Sequence, residues 1–160
     1  FAELRLLLTH RLGALGVDFS YPEVEFQACR VHTDAVLLEQ ALLNILNNAL
    51  NALDEGATPP PRRIRAYVEK REGRLLTVAV VNNGPPIPPD RATDIFRRGY
   101  TTRVRGHGQG LYLARLIAHY LGGGLDLMTG ASLPDGFPAG FLFSLTSDLA
   151  AKEGVSRAAR

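Results

Sequence analysis

Four asparagines fall within eight positions of one segment: Asn44, Asn47, Asn48 and Asn51. From Asp34 to Leu53 the apolar residues Leu38, Leu42, Ile45, Ala49 and Leu53 recur at helical spacing, so the segment Asn44-Ile-Leu-Asn-Asn-Ala49 hangs amides on the polar face of an apolar helix. Asparagine amides compete with the helix backbone, and a solvated face ordinarily carries Glu, Lys and Arg. Neutral oxygen donors one turn apart suit a hard cation bound together with a phosphate chain, which carboxylates would repel. The same pattern also fits an ordinary polar face.

Three further stretches could serve the same chemistry. In Val80-Val-Asn-Asn-Gly-Pro-Pro-Ile-Pro-Pro-Asp90 a buried strand ends in two amides and Gly84. Asn82 at such a strand end could read the edge of a purine, with Ile87 as a wedge in the pocket wall; the alternative is an Asn-Gly hairpin turn. Arg97 to Arg105 holds four arginines and the hydroxyls of Thr101 and Thr102, flanked by Gly99 and Gly106. It reads as a mobile loop that folds over phosphates or as a solvated one. Gly106-His-Gly-Gln-Gly-Leu111 then runs into a helix, and glycines there let backbone N–H groups meet an anion. No parallel strand precedes these glycines, so a dinucleotide-binding turn is excluded.

These residues need a frame to hold them. Phe1–Leu15 reads as a helix with Leu4, Leu7, Leu8 and Leu12 inward, closed by Gly13 and Gly16. Val17–Tyr21 and Val24–Arg30 alternate as strands about the Tyr21-Pro22 turn. The asparagine helix is opened by Thr33 or Asp34 and ended by Gly56-Ala-Thr-Pro-Pro-Pro61. Arg63–Lys70 and Leu75–Val81 form a hairpin, 90–96 one or two helical turns, and Gln109–Leu121 a helix. Strands at Leu125–Thr129 and Gly140–Thr146 pair last. The order predicts an α/β two-layer sandwich, a mixed and mostly antiparallel sheet with helices on one face. Residues 1–149 make one domain and 150–160 a frayed tail.

Bulk properties narrow the function. The 160 residues are 46% hydrophobic and 21% charged, with a formal net charge of +2. That balance supports a real core and argues against a nucleic-acid binder with a broad basic face. The single Cys29 excludes an internal disulfide and fits a reducing compartment; it reads as a small core residue. No apolar run reaches the roughly 18–20 residues of a membrane span. The absence of an initiating Met suggests a module cut from a longer parent.

In sequence order these motifs resemble those of the catalytic and ATP-binding domain of sensor histidine kinases, in the superfamily shared with gyrase, Hsp90 and MutL ATPases. The resemblance runs from about Leu37 to Thr146. Asn44–Ala49 is similar to the N box, 82–88 to the G1 box, 94–102 to the F box and lid, and Gly106–Leu111 to the G2 box. It implies a Bergerat-type ATP-binding fold with ATP and Mg²⁺ as ligands. Asn48, with Asn44, would hold the metal and Asn82 would read the base beside Gly84 and Ile87. Thr102 and Arg103, with Arg98 and Arg105, would approach the phosphates, and Gly106, Gly108, Gly110 and Leu111 would let the backbone come close. The implied partners are a histidine-bearing dimerisation domain of the same parent and a response regulator, in the bacterial cytoplasm. The isolated module is expected to be monomeric, with no direct membrane contact.

Two departures stand out. The family's G1 box begins with Asp, which accepts from the adenine amino group, whereas this chain has Asn82; and Pro86 stands where the family has Gly. Asn is both donor and acceptor, so it could bind adenine more weakly or tolerate a guanine carbonyl. The superfamily's hydrolases place a Glu base one turn before the metal Asn. Here that position is Asn44, which takes no proton, so transfer to a protein nucleophile is expected over hydrolysis. The acceptor is not in this chain: His10, in Thr9-His10-Arg11-Leu12, is too close to the first strand to belong to a helical hairpin. The rival readings are a non-catalytic nucleotide-responsive module and a serine/threonine kinase of the same superfamily.

Overall fold

The computed structural model describes residues 1–29, 31–56, 58–102 and 107–147, with only the backbone described at Arg71. Its frame is a five-stranded sheet of order β1-β2-β3-β5-β4. The strands are β1 (Val17–Ser20), β2 (Arg62–Glu72), β3 (Leu75–Asn82), β4 (Gly124–Leu127) and β5 (Ala139–Thr146). Among the described residues only β1 with β2 is parallel; β2 with β3, β3 with β5 and β4 with β5 are antiparallel. The helices are α1 (Ala2–Leu15), α2 (Glu23–Ala28), α3 (Ala35–Glu55) and α4 (Gly110–Tyr120), with short 3₁₀ turns at Pro89–Arg91, Asp94–Phe96 and Gly130–Ser132. This is the expected α/β sandwich.

Strand alternation divides the sheet into two faces. Val78, Val80, Phe141, Phe143 and Leu145 join Leu42, Ile45, Leu46, Ala49, Leu50 and Leu53 of α3, and Ala114, Ile117 and Ala118 of α4, in the main core. The opposite face, at Ala79 and Val81, is covered by Met128 and Phe137 from the β4–β5 connection. Gly140 is required between these layers, because a Cβ there would stand 2.6 Å from Val81 Cγ1.

Local signals set the ends of the elements. The Asp34 side chain accepts from the Leu37 N–H at 3.0 Å and caps α3, which stops at Glu55 before the proline run. Gly16, at φ 59°, closes α1. Gly73, at φ 56°, turns β2 into β3.

Two expectations need correction. The strand expected at Val24–Arg30 is the helix α2 over Glu23–Ala28; Arg30 lies outside the described residues. Val24, Phe26 and Ala28 alternate as a strand would, but Val24 is 79% exposed. Phe26 alone turns inward, its ring 4.5 Å from that of Phe1. Pro22 presets the helix entry and Glu23 and Glu25 favour its first turn. Leu7, expected inward, is 61% exposed, because the buried stripe of α1 is the i, i+4 row Leu4, Leu8, Leu12.

The α1–α3 contact has a polar clasp. The Arg11 guanidinium donates to Asn47 Oδ1 and, at 2.7 Å, to Asn51 Oδ1. Two of the four asparagines are therefore held by α1. Arg11→Met keeps the apolar stem and removes both bonds, and is expected to cost about 1–2 kcal/mol for this half-buried pair of contacts. Chemical denaturation checks it: a midpoint equal to that of the parent protein would show that the clasp adds nothing.

Candidate functional site

A cavity of about 480 Å³ runs along the polar face of α3 and is walled by the loop after β3, the residues leading into α4 and the start of β5. At one end Asn44 and Asn48 face the start of α4, where Gly110 and Leu111 line the wall. A Cβ on Gly110 would come within 3.7 Å of Asn44 Oδ1. The N-cap residue Gln109 makes no side-chain hydrogen bond to α4, so its own side chain leaves the first N–H groups of the helix unclaimed. At the other end the loop after β3 packs on the last turns of α3. Gly84 approaches Ala52, and a Cβ on Gly56 would strike Pro85 at 2.6 Å. Between Asn44 and Ala52 the helix rises about 12 Å, room for a ligand with distinct head and tail.

Strand parity explains why Asn82 belongs to this cavity. It lies on the face of β3 shared by Val78 and Val80, toward the helices, and is only 2% exposed. Its Oδ1 accepts the Gly84 N–H at 2.9 Å. Neighbouring Asn83 points the other way, accepting from the Arg63 N–H at 2.6 Å and donating to the Pro61 carbonyl at 2.7 Å. One asparagine of the pair is thus structural, and the other enters the cavity.

Asn44 carries the clearest sign of a missing partner. Among the described residues its Nδ2 is the buried side-chain polar atom with no hydrogen bond. Buried polar groups are nearly always paired, and leaving one unpaired costs about 1–3 kcal/mol. Among the described residues no group of three or more His, Cys, Asp or Glu could hold a metal ion. A cation here would have to be held by the amide oxygens of Asn48 and Asn44 together with oxygens that the ligand brings. A magnesium ion accompanying a phosphate chain fits that donor set.

Asn44, Asn48, Asn82, Ile87, Thr102, Gly108, Gly110 and Leu111 all line this cavity. Gly84 stands behind Asn82 rather than in the lining. Arg103, Arg105 and Gly106 lie outside the described residues, and Arg98 is exposed, away from the lining. The structure also brings in Glu55, Arg91, Tyr100 and Phe141, which the sequence reading did not single out. Phe141 was legible only as part of a closing strand, and Arg91 only as part of the helical turns over 90–96.

A model of the family described as histidine kinase-, DNA gyrase B-, and HSP90-like ATPase matches residues 33–151, most of the chain. The chain belongs to this ATPase family. The relatives within it include sensor histidine kinases. The nitrogen regulation protein NtrY of Azorhizobium caulinodans is 33% identical over 115 residues, 67% of this chain and 15% of that protein. The sensor protein KdpD of Rathayibacter rathayi is 32% identical over 126 residues, 75% of this chain and 14% of that protein. Among solved structures, the nucleotide-free catalytic domain of the histidine kinase ThkA aligns with a TM-score of 0.72 at 26% identity, covering 91% of this chain and 90% of that one. The histidine-kinase type of ATPase-family domain is therefore what the fold and motifs share. The chain spans about a seventh of the length of these two relatives.

Proposed function

We propose that this chain is the nucleotide-binding catalytic module of a two-component sensor kinase. It binds Mg-ATP and passes the γ-phosphoryl group to a histidine on a separate dimerisation domain of its parent, for relay to a response regulator. The observation that carries the reading is the buried, unpartnered Asn44 Nδ2, on a residue that lines a cavity together with Asn48 and the first residues of α4. That end offers hydrogen-bond donors and neutral oxygens together, the set a metal–triphosphate requires. Asn48, with Asn44, would hold Mg²⁺, which would neutralise charge on the phosphate chain. Arg103 from the lid and Thr102 would face the phosphates, with the Gly106–Leu111 backbone closing around them. Asn82 and Ile87 would take the base.

Transfer rather than hydrolysis follows from the carboxylates. Asn44 occupies the position of a general base and cannot accept a proton. Glu55 lines the cavity, but it lies eleven residues further along α3, about 16 Å from Asn44 and beside the Gly56–Pro85 contact. It is at the wrong end to activate a water at the γ-phosphorus. Phosphoryl transfer to an imidazole needs positioning and charge neutralisation more than a base. Among the described residues no helix is long and apolar enough to cross a membrane.

The test is transfer of label. The protein, incubated with γ-labelled ATP, Mg²⁺ and a supplied histidine-bearing hairpin domain of a sensor kinase, is expected to label the hairpin with an acid-labile, base-stable phosphate. Acid-stable label would indicate a serine/threonine kinase. Nucleotide binding with no transfer to any hairpin tested would favour a regulatory module.

A further inference from the structure

The base end of the cavity has a polarity that residue identity alone leaves open. Asn82 is an amide, donor on one side and acceptor on the other. Its Oδ1 is committed to the Gly84 N–H at 2.9 Å, closing a turn of the chain upon itself. Gly84 is buried, and a Cβ on it would sit 2.7 Å from that same oxygen, so the contact is tight. Rotating the amide by half a turn would set Nδ2–H₂ against the Gly84 N–H, two donors face to face. A buried backbone N–H would then be left unpaired, an arrangement folded proteins avoid. The orientation of this side chain is therefore fixed by its own loop.

With the oxygen turned to the loop, the amide presents its Nδ2–H₂ donor on the side away from Gly84. Strand parity turns Asn82 toward α3, and the residue lines the cavity. Pro85, Pro86 and Pro88, which line the same end, carry no N–H that could compete with the amide for a ring edge. We infer that this pocket selects purines bearing an acceptor at position 6, the 6-oxopurines, over adenine, and that Asn82 sets the choice. The inference rests on the nucleotide reading above. A 6-oxo oxygen accepts from Nδ2–H₂, whereas the 6-amino group of adenine meets it donor to donor. An aspartate in the same place would still accept from Gly84 and would present its second oxygen to an amino group.

Inosine and adenosine nucleotides isolate this edge, since they differ at position 6 and in the protonation of the adjoining nitrogen. In calorimetric titrations of the protein, Mg-ITP is expected to bind about tenfold more tightly than Mg-ATP, and Asn82→Asp is expected to reverse the order. Mg-ATP binding as tightly as Mg-ITP, or more tightly, would overturn the inference and leave the nucleotide reading standing. A preference for ITP that persists in Asn82→Asp would remove Asn82 as the selector. Binding of neither nucleotide would defeat the nucleotide reading itself and this inference with it. Should the variant fail to fold, the comparison of the two nucleotides on the parent protein decides alone.

Discussion

Replacing Asn48 with Ala is expected to weaken Mg²⁺-dependent nucleotide binding by about 100-fold, or about 2.7 kcal/mol, while leaving the fold intact. Asn48 is half-buried on the polar face of α3, opposite the stripe formed by Ile45, Ala49 and Leu53. Removing its amide takes nothing from the core and opens no apolar cavity. The loss should fall on the metal: titrations with Mg²⁺ present should show the large change, and titrations in a chelator only a small one. Asn44→Ala differs in kind. It removes a buried donor that has no partner in the free protein, so stability should hold or rise slightly as affinity falls. Thermal unfolding beside calorimetry separates the two variants. Affinity for Mg-nucleotide unchanged in Asn48→Ala would refute the assignment of the metal to this face.

Much of this frame is legible in the chain because local signals and core periodicity agree. The apolar stripe of α3, its Asp34 cap and its stop before the prolines all point to one helix, and the structure has it over Ala35–Glu55. The β2–β3 hairpin follows from two β-rich runs about Gly73. Residues 23–28 mislead because six residues hold too few turns to separate a period of two from one of 3.6. Tertiary contact decided them, through the ring of Phe26 on Phe1 and Tyr21. At the site, amide-rich and glycine-rich stretches are visible as types, but their division of labour is not. Arg11 meets Asn47 and Asn51 across separations of 36 and 40 residues, and nothing local announces it. Likewise Asn82 and Asn83 are indistinguishable as letters. Strand parity sends one to the cavity and the other to the chain at Pro61 and Arg63, and only the Gly84 N–H tells which end of the Asn82 amide is free.

Gly108 ties the basic loop to the fold, and Gly108→Ala is expected to lower nucleotide affinity at least about 30-fold, roughly 2 kcal/mol, with little change in global stability. Its φ is +60°, where a Cβ is strained by about 1–2 kcal/mol. The neighbours are more severe than the torsion. A Cβ would lie 2.4 Å from the Gly99 carbonyl carbon and 2.5 Å from the Tyr100 carbonyl oxygen, backbone atoms with no rotamer to yield. Gly99, at φ +80°, donates its N–H to the Gly108 carbonyl at 2.9 Å, so the two glycines pinch together the ends of the segment between them. Opening that pinch displaces Tyr100, Thr101, Thr102 and His107, all on the cavity wall, and the Gln109-Gly110 entry to α4. The fully buried core is spared, because its residues on α4 begin at Ala114, with only the partly buried Leu111 and Leu113 packing against it from nearer the helix start. An alternative outcome is diagnostic: a large drop in melting temperature together with lost binding would mean that the pinch is a structural clamp of the α4 entry. Full affinity in a folded Gly108→Ala variant would mean that the segment 99–108 does not take part in holding the phosphates. Gly99→Ala supplies the control, since among the described residues no heavy atom beyond its chain neighbours lies within 4 Å of its Cβ position. It meets the torsional strain alone, and should lose several-fold less affinity than Gly108→Ala.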